Sequence, residues 1–196
     1  MNYIEEAKKV HQEALEEQFI EACYLAKRII GILGGKAFPN VELAYDECTA
    51  YSIERQTVRI KMPFCLTEIN CIHAIAHECY HAFEFMNNPS KNHYSKEDRI
   101  IIEHKCDEYA YKYSFERDAE AFGYAFANFY IKEIVGYNFK EAIPYISQKA
   151  KEKYPELINT EKELIASYIV FRNNYLPIFQ KYKNDLIKEY EAFIEE

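Results

Sequence analysis

Apolar residues in the first part of the chain recur every three to four positions, from Ile4, Ala7 and Val10 through Ala22, Leu25 and Ile29 to Leu33, opposite a face of Glu, Lys and Gln. That period predicts one long amphipathic helix from Asn2 to Leu33, stopped by Gly34-Gly35 and followed by a new start at Pro39-Asn40. Between Val41 and Met62 the period becomes two: Val41, Leu43 and Tyr45 alternate, then Tyr51 and Ile53, then Val58, Ile60 and Met62. The alternation predicts two or three short antiparallel strands, with turns near Asp46 to Cys48 and at Arg55-Gln56, the last strand ending at Pro63.

From Thr67, a candidate N-cap, to about Phe85 the pattern is helical and apolar nearly all round, which predicts a buried helix. Asn87-Asn88-Pro89 end it, and a polar loop runs to Ser95, which opens a helix carrying Ile102, Cys106, Tyr109, Ala110 and Tyr113. Further helices are expected from Phe115 to Val135, from Ile143 to Lys153, and from Thr160, where Glu163 three residues on completes a capping-box pattern. Pro177 is expected to break this last helix and leave Ile178 to Ile194 as a separate rod. The fold class that follows is α+β and mostly helical: a long N-terminal helix, a small antiparallel sheet, the buried helix, then a helical C-terminal half. Residues 1–136 read as the principal domain, with 137–196 a helical extension packed on it.

At 196 residues, the chain can bury a substantial core. Its 32 acidic against 24 basic residues give a net charge of −8 with no basic block, which argues against nucleic acid as the main partner. No apolar run approaches a membrane span and the N-terminus lacks the pattern of a leader, so a cytoplasmic location is expected. Six cysteines without dense spacing or a C-x-x-C pair read as reduced thiols, Cys79 serving packing.

The chemistry sits in the buried helix, as His77-Glu78-Cys79-Tyr80-His81. Residues four apart on a helix lie one above the other, so His77 and His81 can aim at one zinc ion. Glu78 falls to the flank, placed to act as general base on a water that the metal holds. Burying two imidazoles and a carboxylate unpaired would cost several kcal/mol, which a metal removes. Two histidines leave a catalytic zinc one protein ligand short. A third histidine six residues on is absent, since Glu84 and Asn87 stand at the metzincin positions. A carboxylate from a later helix is the alternative. Glu116 supplies one, on a side shared with the small residues Ala119, Gly123 and Ala127, while Glu103, in Glu103-His104-Lys105-Cys106-Asp107, competes with it. His73, one turn before His77, is a candidate for substrate contact or for support of the ligands. His93, His104 and several tyrosines are candidates to stabilise an oxyanion.

His77-Glu78-x-x-His81 followed by Glu116-x-x-Ala119-Glu120 resembles the gluzincin type of zinc metallopeptidase, and among these the compact minigluzincins and ImmA/IrrE-like proteins. The likeness covers roughly residues 1 to 130, with Cys79-Tyr80 inside the motif and Glu120 where Asp or Asn is usual as departures. It implies a zinc-dependent peptidase with Zn2+ on His77, His81 and Glu116, Glu78 as the catalytic base, and a peptide or protein as substrate. The other reading it leaves open is a zinc-containing regulator of ImmA/IrrE type with narrow or no general proteolysis.

Overall fold

The computed structural model of the chain describes residues 3–45, 49–87, 105 and 107–194. Helix α1, Tyr3–Ile32, ends where the sequence places its stop. Gly34 takes φ +84° and donates to Gly31 O at 3.0 Å, and Gly35 donates to Ile30 O at 2.9 Å, the paired bonds of a Schellman ending.

Strands β1 (Asn40–Ala44), β2 (Ala50–Ser52) and β3 (Thr57–Lys61) follow in the expected places, but their pairing differs from a purely antiparallel sheet. The order is β1-β3-β2: β2 pairs antiparallel with β3, whereas β1 pairs parallel with it, Val41 opposite Val58 and Leu43 opposite Ile60. Burial explains the central place of β3, because Thr57, Val58 and Ile60 are all buried while β2 carries no buried residue. The most buried strand gains most from neighbours on both sides. β2 is therefore an edge among the described residues. The turn foreseen at Asp46 to Cys48 lies outside them.

Helix α2, Ile69–Asn87, carries the histidine motif. Thr67 does not cap it; its hydroxyl meets Cys65 Sγ at 3.1 Å, and the first helical bonds return to Glu68 O. The helix expected from Ser95 falls mostly outside the described residues, and its end, Asp107–Lys112, is a 3-10 turn. Helix α3, Ser114–Glu133, matches expectation closely. The helix expected from Ile143 is confined to α4, Gln148–Lys153, capped by the Ser147 hydroxyl accepting from Ala150 N–H at 3.2 Å.

Helix α5 runs unbroken from Leu157 to Ile194 through Pro177. It begins one turn before Thr160, after bonds from Leu157 N–H to Tyr154 O and Ile158 N–H to Pro155 O, so no capping box forms. Thr160 is buried inside the helix and Glu163 instead pairs with Arg117 of α3 at 3.3 Å. An interior proline costs about 3 kcal/mol, which packing on both sides of Pro177 offsets: the rings of Phe171, Tyr175 and Phe179 stack in succession, the first against Tyr80 of α2 and the other two against rings of α3. Tyr168, Phe179 and Leu186 of α5 belong to the same buried cluster as Ile29 and Ile30 of α1, Val58 and Ile60 of β3, and Ile72 and Ile75 of α2. Among the described residues no helix is long and apolar enough to cross a membrane.

Candidate metal centre

Helices α2 and α3 pack along their lengths and bring residues 35 to 43 positions apart into contact. His77 and His81, one turn apart, turn their rings to 4.8 Å between centroids at 73°, and their Nε2 atoms stand 3.0 Å apart. Glu116, in the first turn of α3, brings Oε2 to 3.4 Å from His77 Nε2 and 3.3 Å from His81 Nε2. Three donor atoms thus form a nearly equilateral triangle. These residues could hold a metal ion.

A second layer lies one turn away on both helices. Glu120 Oε2 accepts from His77 Nδ1 at 2.9 Å and lies 3.2 Å from His73 Nε2. The trio His73, His77 and Glu120 also has the composition of a metal-binding group. It is a weaker candidate on geometry: a carboxylate oxygen sits between the two ring nitrogens, as a hydrogen-bonding bridge does, and His77 can use its Nε2 lone pair in the first group only while Nδ1 keeps its proton.

No family model matches the chain, and neither the curated proteins nor the solved structures contain a match to it.

The charges of the two layers support each other. Burial alone would raise the Glu116 and Glu120 carboxyls, but hydrogen bonds and charge from the imidazoles, His77 and His81 for one and His73 and His77 for the other, hold both well below the usual carboxylate range. Burial would lower the pKa of His77, yet bonds to Glu116 and Glu120 and the charge of Glu78 raise it well above its ordinary value. A cation is therefore favoured in this pocket, a proton or a metal. Burial, then the charge of Glu120 and a hydrogen bond to it, push the Tyr111 hydroxyl up.

Glu78 is beside the triangle and outside it. Its Oε2 accepts the backbone N–H of Tyr51 at 2.8 Å, which ties it to β2. Both lie in a cleft of about 490 Å³ lined by Ala50 to Glu54, His77, Glu78, His81, Phe85 and Glu116. Cys79 points the other way, fully buried with Sγ 4.0 Å from Ala26 O of α1. Glu103, His93 and His104 lie outside the described residues.

Sequence reasoning brought together His77, His81 and Glu116 and set Glu78 beside them. It missed Glu120, treated only as a departure from a family pattern. The signal was available: Glu120 is four residues after Glu116, hence on the same helix face, and a metal-ligating histidine needs an acceptor for its second N–H.

Proposed function

We propose that the protein is a zinc-dependent metallopeptidase in which His77, His81 and Glu116 bind Zn2+ and Glu78 is the general base. One observation carries the reading. A tetrahedral zinc with donors at about 2.0–2.1 Å separates neighbouring donors by roughly 3.3–3.4 Å, and the three edges of the triangle are 3.0, 3.4 and 3.3 Å. Two histidines and a carboxylate are the donor set of open catalytic zinc sites, and the side chains stand at the wall of a cleft. Zinc bound there supplies Lewis-acid polarisation of a carbonyl and acidification of water.

The chain's own residues supply the rest. Glu78, its rotamer fixed by the Tyr51 N–H, takes a proton from water in the cleft and hands it to the departing amine. Glu120 holds the His77 N–H so that Nε2 keeps its lone pair toward the ligand triangle. The Tyr51 N–H points away from β3, so the outer side of β2 borders the cleft and offers a rail for an extended peptide. Peptide as substrate rests on this edge and on the gluzincin resemblance of the motif.

The test is Glu78→Gln, assayed on a proteome-derived peptide library by mass spectrometry and for zinc by metal analysis. The variant is expected to carry one zinc per chain, as wild type does, and to cleave nothing that wild type cleaves. Undiminished cleavage by Glu78→Gln, or a wild-type protein without metal, overturns the reading.

A further inference from the structure

We propose that His73 is a positioning residue for the metal site, acting through Glu120 on His77, and that Gly123 is small because His73 occupies the space its side chain would fill. The proposal rests on the assignment of His77, His81 and Glu116 as zinc ligands.

Glu120, Gly123 and Tyr124 are spaced i, i+3 and i+4 on α3 and so share one face. Together they form a socket for the His73 ring. A Cβ on Gly123 would come within 2.9 Å of His73 Cδ2 and 3.1 Å of its Nε2, too close for the ring to stay where it is. Tyr124 closes the other side, its ring centroid 4.4 Å from that of His73. Held so, His73 brings Nε2 to 3.2 Å from Glu120 Oε2, the oxygen that also accepts from His77 Nδ1. The contact has the distance of an ion pair, and among the described residues the buried nitrogen has no other polar partner. Its effect is therefore on where the carboxylate sits.

Glu120 is among the few buried charged side chains, only 6% exposed. A carboxylate in that position needs positive or donor groups around it. His77 satisfies one direction and His73 another, which keeps the carboxylate against Nδ1 when a metal takes the other nitrogen. Removing His73 leaves Glu120 free to turn toward Tyr111, the other group that hydrogen-bonds it. His77 then loses the acceptor that orients its ring.

The experiment measures zinc affinity of the full chain by competition with a chromophoric chelator, and the visible spectrum of the Co2+-substituted protein. Five proteins are compared: wild type, His73→Phe, His73→Gln, Glu120→Gln and the double variant of His73→Phe with Glu120→Gln. Outer partners of metal ligands change affinity by about 10- to 100-fold. His73→Phe, which keeps a ring and loses the nitrogens, is expected near the lower end, about tenfold weaker, with an altered Co2+ band. His73→Gln, which returns an N–H near the position of Nε2, is expected to recover most of the loss. In the Glu120→Gln background His73→Phe is expected to cost nothing further, because its route of action is already gone. Wild-type affinity and spectrum in His73→Phe, or losses that simply add in the double variant, overturn the proposal and leave the zinc assignment standing. A wild-type protein that binds no zinc overturns both.

Discussion

Helix α3 has two faces that pack against helices in opposite ways. Toward α2 it presents Glu116, Glu120 and Gly123, carboxylates and a gap that admit the imidazoles of His73, His77 and His81. Toward α5 it presents Phe122, Phe126 and Phe129, whose rings lie 5.3 to 6.0 Å from that of Phe179. The first face brings charge out of water and needs a cation to hold it there. The second buries apolar rings at no electrostatic cost. One helix thus separates the part that stabilises the fold from the part that could hold a metal ion, and each is expected to be open to disturbance with the other left intact.

The largest effect is expected on the aromatic face. Phe179→Ala removes a fully buried ring that touches four others, and such truncations cost about 3–5 kcal/mol. Urea unfolding should show that loss, while the protein that remains folded keeps one zinc per chain. A folded variant that has lost its zinc would show the two faces to be a single unit.

On the polar face Glu116→Ala removes a corner of the donor triangle. Zinc affinity should fall by more than ~100-fold, beyond the range for outer partners, with Glu103→Ala close to wild type. Chelator titration in parallel decides it, and the reverse order would move the third ligand to Glu103.

The smallest effect concerns a carboxylate with no imidazole to hold it. Glu21 of α1, whose charge is felt by Tyr130 of α3, is pushed up to about 7 by burial and by Glu17. The folded protein therefore binds this proton more tightly than the unfolded chain, whose glutamate titrates near 4.5. The stability it contributes is complete below that value and is lost as pH rises through about 7. Because the group is only half buried, the change should not exceed about 1 kcal/mol. Glu21→Gln should flatten the dependence of Tm on pH between 5 and 8 and leave the variant the more stable at pH 8. Equal slopes in the two proteins would exclude this account.

What the sequence made legible was whatever depends on neighbours along the chain. The period of α1, the alternation of the strands and the four-residue spacing of His77 and His81 are local, and all lie where they were expected. The triangle was within reach because Glu116 had few rivals. Other features depend on partners distant in sequence. The parallel pairing of β1 with β3 follows from which strand is buried most, and no local pattern states that. Pro177 has every local property of a helix breaker, yet Phe171 finds a ring on α2, Tyr80, and Tyr175 and Phe179 find rings on α3, and these contacts hold the axis together. Thr160 and Glu163 have the spacing of a cap, but the turn at Tyr154-Pro155 starts the helix earlier.

In the proposed peptidase, the bond from Tyr51 N–H to Glu78 would tie recognition to reactivity. The donor is one of the outward-facing groups of an edge strand, and the acceptor is the carboxylate assigned as base. A strand that adds itself to β2 meets a single hydrogen wanted by two acceptors. If the newcomer takes it, Glu78 is released at the moment the cleft fills; if Glu78 keeps it, the added strand must skip a rung and its register is fixed one step along. In the first case occupancy of the edge would reach the proposed base through one proton of the main chain, with no side chain of β2 involved; in the second the same proton sets only the register.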